Sequence, residues 1–160
     1  MKLGVCGLVA TAALLLTSAC TGDKPAVARP AAGGPEPKTI EGARAAAQTV
    51  FDRFAGGDFA GAWDMYSAAG KEAISKDDYV RLNQACARRG LAIQLSSARM
   101  DGADRAVVIA KQLMAAQSYT MIYEDGGWKL APAREGLALY RMGAVRAIAA
   151  QKKAGTCAGR

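Results

Sequence analysis

The chain contains no histidine. That single absence excludes Asp–His dyads, serine triads and imidazole metal ligands together. Cysteine is sparse: Cys6, Cys20, Cys86 and Cys157. Only the last two fall in the region able to fold, too few thiols for a zinc site. A glycine-rich phosphate loop is missing as well. Gly56-Gly57 precedes a helical pattern but has neither the spacing nor a preceding strand. No internal repeat is present, and acidic residues stop at Glu135. Residues 3–16 form the one uncharged apolar run that stands out, too short to span a bilayer comfortably as a permanent helix. No metal and no cofactor is therefore expected.

That run organises the rest of the chain. Met1-Lys2 is a minimal positive segment, residues 3–16 carry Val5, Leu8, Val9, Leu14 and Leu15, and small residues Thr17, Ser18 and Ala19 stand directly before Cys20. This is the order of an export signal. The stretch resembles a bacterial lipobox, although Thr17 stands where many lipoboxes place Leu, with Leu16 one position earlier. The resemblance implies that Cys20 receives a diacylglyceryl thioether and becomes the mature N-terminus. It also implies a location on the cell membrane, lipid-anchored at the extracytoplasmic face. The alternative is an ordinary secretory signal ending Ser-Ala-Cys. The full chain has a net charge of +7, and removing residues 1–19 takes away Lys2 only, leaving 20 basic against 14 acidic residues, +6. An exported address argues against nucleic acid as the partner of this basic chain. Two thiols, Cys86 and Cys157, remain in an exported protein, and the simplest state for such a pair is a disulfide. It would staple the C-terminal tail to the helical layer.

Residues 20–39 read as the lipidated cysteine and a tether. Four of the five prolines lie here: Pro25, Pro30, Pro35 and Pro37. The composition predicts a solvated spacer reaching roughly 50 Å. A single domain of α+β class is expected over residues 40–160. Ala43, Ala46, Val50 and Phe54 recur at helical steps after Thr39, with Ala47 and Phe51 widening the stripe. Gly56-Gly57 ends that first helix, and Asp58 caps a second carrying Phe59, Ala62, Trp63 and Tyr66. Ala69-Gly70 breaks it. Ser75 caps a third helix whose apolar face is Tyr79, Leu82 and Cys86.

After Gly90 the period changes to two. Leu91, Ile93 and Leu95 alternate as a first strand, residues 105–113 form a second and residues 117–123 a third. Glu124-Asp125-Gly126-Gly127 is a hairpin turn into a fourth strand, Trp128-Lys129-Leu130, ended by Pro132. Three N-terminal helices packed on an antiparallel four-stranded sheet give an α+β order. From about residue 136 a basic, alanine-rich helical tail carries Arg141, Arg146, Lys152, Lys153 and Arg160. On a helical wheel its cations share one half with Met142, Val145 and Ile148, while Ala144, Ala147 and Ala150 fill the other. Charge and bulk are not segregated, so no membrane-embedding stripe is expected; the tail should fold against the domain with its cations in water.

Phe59-Ala60-Gly61-Ala62-Trp63 after a Gly-Gly-Asp turn, together with Tyr123-Glu124-Asp125-Gly126-Gly127-Trp128, resembles the nuclear transport factor 2-like superfamily. More narrowly, the chain is similar to small actinobacterial lipoproteins with that cone-shaped fold. The resemblance covers roughly residues 40–131 and implies a curved sheet wrapping a helix, with an apolar pocket at the open end. Some relatives bind small molecules there, and others are isomerases, cyclases or dehydratases. The expected pocket lies between the first helix and the sheet, with Trp63 and Tyr66 near its mouth. Val107, Ile109, Tyr119 and Met121 are its expected sheet lining. The function expected first is a non-catalytic binding or interaction module for an apolar small molecule or a cell-surface protein. The alternative is a small isomerase- or cyclase-like enzyme using a lone carboxylate, with Asp64 the candidate. Against it, Asp64 reads as a solvated position on an outer helical face.

Overall fold

A computed structural model describes residues 35–158. The signal segment 1–19, Cys20 and residues 21–34 of the expected tether lie outside the described residues. Helix α1 (Ile40–Gly56) begins where the Thr39 side chain accepts a hydrogen bond from Gly42 N and ends at Gly57. Its buried stripe is Ala43, Ala46, Ala47, Val50 and Phe51. Asp58 starts α2 (Phe59–Asp64) by accepting from Gly61 N, 2.9 Å. The second helix stops before Tyr66, and an additional short helix α3 (Ala68–Ala73) follows where a break was expected. The reason is local: Ser67, fully buried, caps α3 by accepting from Gly70 N. Helix α4 (Lys76–Cys86) starts at Ser75 and buries Tyr79, Leu82 and Cys86.

Four strands form an antiparallel meander in the order β1-β2-β3-β4. They are β1 (Gln94–Met100), β2 (Arg105–Gln112), β3 (Ala115–Glu124) and β4 (Gly127–Ala131). β1 therefore starts three residues later than the alternation from Leu91 indicates. Leu91 and Ile93 precede it, the Ile93 carbonyl accepts from Gln48 Nε2, and the register shifts between Leu95 and Ser97. The β3–β4 turn is Asp125-Gly126, with φ of 52° and 77°. Two successive left-handed residues suit the twist of a two-residue hairpin, which is why Asn/Asp-Gly pairs favour it. At the other end of β3, Leu113 leaves the strand at φ 55° and, with fully exposed Met114, turns the β2–β3 hairpin.

Helix α1 lies across one sheet face, and the core forms between them. The pairs Ala106–Met121, Val108–Tyr119 and Met121–Leu130 put these residues on the same face. Ala106, Val108, Ala110, Met121, Trp128 and Leu130 are buried there. Val107 and Ile109, expected to face inward, point the other way; Ile109 is 39% exposed. Small residues win the inner face because the alanine stripe of α1 approaches closely, while Phe51, Met121 and Trp128 supply the volume.

β4 is an edge strand with its outer side covered. Leu130 N donates to the Met65 carbonyl and Ser67 N to the Leu130 carbonyl, both at 2.9 Å. Trp128 N donates to Glu36 Oε2 at 2.9 Å. A covered edge cannot template pairing with another chain. The same contacts correct the tether boundary. Glu36 N donates to the Gly126 carbonyl, Trp128 Nε1 to the Pro37 carbonyl, and Tyr123 Oη to the Glu36 carbonyl. Lys38 pairs with Asp104 and lies over the Tyr123 ring. Residues 35–39 thus belong to the domain.

The C-terminal segment forms two helices, α5 (Arg134–Tyr140) and α6 (Ala144–Lys153). α6 packs on α4 through Ala144 and Ala147, leaving Val145, Arg146, Lys152 and Lys153 exposed. A disulfide joins Cys86, the last residue of α4, to Cys157 beyond α6. Among the described residues no helix is long and apolar enough to cross a membrane.

Candidate functional site

The space between α1 and the sheet, where a pocket was expected, is filled. Phe51 meets Tyr119 with ring centroids 4.8 Å apart, and Val50, Met121 and Trp128 close around them. The cleft lies elsewhere, beside the part of β3 that outruns β4. The last β3–β4 pair is Thr120 with Ala131, so residues 115–119 have no partner on that side. Chain leaving β4 through Pro132 into α5 forms the opposite wall. A cleft of about 780 Å³ results, within the range of small-molecule sites. Arg105, Ser118, Tyr119, Thr120, Ile122 and Leu130 line it from the sheet, and Pro132, Arg134, Gly136, Tyr66 and Tyr140 line it from the other side.

Gly70 holds that wall in place. A Cβ there would sit 3.0 Å from both Pro132 Cδ and the Tyr66 ring, tighter than ordinary packing. A side chain there would make α3, Tyr66 or Pro132 give way by a few tenths of an ångström.

Three phenols converge at the inner end. Tyr66 Oη lies 3.1 Å from Tyr79 Oη and 3.3 Å from Tyr140 Oη, with rings packed at centroid distances of 5.1–6.3 Å. Three hydroxyls carry three protons, and the two contacts use two of them. Run from Tyr79 through Tyr66, the donor chain leaves the spare proton on Tyr140, in the cleft lining; run the other way, it leaves it on Tyr79, outside the lining. Burial, the largest cause, pushes all three phenols above their ordinary value; charge repulsion between the neighbouring phenols adds to it, and the hydrogen bonds that Tyr66 and Tyr79 accept offset part of the rise. They stay neutral and donate hydrogen bonds. Tyr119 is raised by burial too, and its hydroxyl donates to Gln117 Oε1 at 2.8 Å.

Of the residues expected to line a pocket, Tyr66 and Tyr119 line this cleft, while Trp63, Val107, Ile109 and Met121 do not. Met121 is core. Trp63 Nε1 donates to the Ile74 carbonyl, and Lys71 and Lys76 sit over its ring. Asp64 is exposed and takes Lys76 Nζ on both oxygens at 2.8 Å, away from the cleft. No Asp or Glu lines the cleft. Among the described residues no group of His, Cys, Asp and Glu could hold a metal ion.

Tyr79, Tyr140, Arg105 and Arg134 are the site residues that sequence reasoning missed. Pro132 followed by the apolar steps Gly136, Leu137, Leu139 and Tyr140 was the available sign that the chain turns back onto the domain. No protein-family model matches the sequence, and no curated protein matches it.

Proposed function

We propose that this chain is a membrane-anchored extracytoplasmic lipoprotein whose domain, of the nuclear transport factor 2-like kind, binds an apolar small molecule without catalysing its conversion. The observation that carries the binding reading is the cleft beside β3. Its walls carry aromatic and aliphatic side chains, a few hydroxyls, Gln117 and two arginines, Arg105 and Arg134, and it contains no carboxylate or imidazole to move a proton. Neutral phenols orient a ligand oxygen; they are poor bases while burial keeps them protonated. The order of helices before a four-stranded meander supports the fold assignment. The membrane address rests on residues 1–20.

Binding is tested with an apolar fluorescent probe titrated into the purified chain. Saturable enhancement, lost in Ser118→Trp and kept in Asp64→Asn, is the expected result. Turnover of a substrate that Asp64→Asn abolishes would overturn it in favour of the lone-carboxylate enzyme. The address is tested by metabolic labelling with a fatty-acid analogue. Two acyl chains suffice for stable anchoring, so Cys20→Ser should lose both label and detergent partitioning; retained label would refute the assignment.

A further inference from the structure

The cleft has a sign. Two arginines, Arg105 and Arg134, are in its lining, and no acidic side chain is. Asp101 Oδ2 lies 3.1 Å from Arg105 Nε, and the same carboxylate also takes Arg99, so Arg105 is only partly neutralised. Arg134 forms no ion pair among the described residues. Glu135, next to it on α5, is exposed and outside the lining. The Tyr66 and Tyr140 hydroxyls, 3.3 Å apart, add polar groups to the lining. Beside these donors Ile122, Leu130, Pro132 and the tyrosine rings supply the apolar part of the wall, with Gln117, Ser118 and Thr120 polar along β3. Donors and positive charge at an apolar cleft suit a ligand with acceptors, negative charge and a hydrocarbon body. A guanidinium presents a planar fork that fits the oxygens of a carboxylate or a phosphate monoester.

We propose that the cleft takes a single-chain anionic amphiphile. Arg134, assisted by Arg105, holds its carboxylate or phosphate head, and its hydrocarbon chain lies against the tyrosine and leucine wall. This deepens the binding reading above and rests on it. It also names a selection rule: cationic amphiphiles are rejected by charge, and neutral ones forgo the pairing.

Calorimetric titration of the purified full chain tests it. Dodecanoate, dodecyl phosphate and dodecanol, each below its aggregation concentration, are the probes. Both anions, or one of them, should bind about tenfold or more tighter than dodecanol. Whichever anion binds better identifies the head as carboxylate or phosphate. Arg134→Gln, an exposed substitution that leaves the core untouched, should remove about that factor for the anions and leave dodecanol unchanged. Ser118→Trp should weaken all probes, with thermal unfolding unaltered. Equal binding of dodecanol and the anions, with Arg134→Gln silent, would overturn the anionic head and leave the cleft as an apolar binder. Binding that Ser118→Trp does not affect would place the ligand elsewhere. Failure of all three probes would bring down the binding reading itself.

Discussion

A phenol buried beside two others is a protonation switch that unfolding alone can reach. Tyr66, Tyr79 and Tyr140 all titrate above the ordinary phenol value of about 10. Above that pH the unfolded chain releases these protons and the folded chain keeps them. Stability is therefore intact below about pH 10 and falls as pH rises beyond it. Alkaline titration followed by tyrosinate absorbance and circular dichroism should show these three phenols ionising together with unfolding. Ionisation of the trio before any loss of structure would contradict the buried cluster. The trio also marks a limit of sequence reading. Tyr66 stood out because it followed Phe59, Ala62 and Trp63 at helical spacing. Tyr79 looked like ordinary core on its own helix, and the apolar steps after Pro132 that end at Tyr140 showed a return to the domain but not where it lands. Their meeting is set by the return of α5 past Pro132, which is a tertiary event.

Local chemistry decided the helix starts. Thr39, Asp58 and Ser75 each accept from the N–H three residues on; Asp58 and Ser75 were legible as caps, and Thr39 as the place where the first helix starts. The Asp125-Gly126 turn was legible for the same reason: its residues are those that tolerate φ > 0. Which face of β2 points inward was not legible. Both alternate sets are apolar, and the choice depends on how closely the alanine stripe of α1 approaches. The helical packing of residues 134–153 was only partly visible, because alanine makes a weak stripe although Ala144 and Ala147 are its buried side. The disulfide compensates for that weak stripe. It closes a 71-residue separation between α4 and the end of α6, which the chain-entropy relation values at about 4 kcal/mol. Cys157→Ser with Cys86→Ala should lower unfolding stability by up to that amount in a urea titration, while the sheet's circular dichroism is retained. A double variant as stable as the parent would mean that the bridge constrains little in the unfolded chain.

At the scale of the whole molecule, the chain enters the domain at the β3–β4 turn, and the cleft runs along the flank of β3 from Gln117 to Ile122 and Arg105. Residues 35–38 are fastened at the β3–β4 turn, through Gly126, Trp128 and Tyr123. The unpaired stretch of β3 begins at Ala115, the far end of the same strand. If Cys20 carries a lipid, as proposed, the pull of the anchor reaches the fold first at Glu36. That residue is well suited to resist it. Its amide, its carbonyl and its carboxylate are each engaged by the hairpin, and the Pro37 carbonyl receives the Trp128 indole N–H. A chain started at Thr39 loses all four hydrogen bonds together with the Lys38–Asp104 pair. The exposed ion pair contributes little. The four hydrogen bonds, at about 1 kcal/mol each, sum to about 4 kcal/mol. A chain started at Pro35 should therefore unfold at higher urea than one started at Thr39, with equal slopes. Gln in place of Glu36 should fall between them, since it keeps the backbone bonds and weakens only the contact to Trp128 N. Equal midpoints for the two starts would show that residues 35–38 are tether after all, and that the domain begins at the cap of α1.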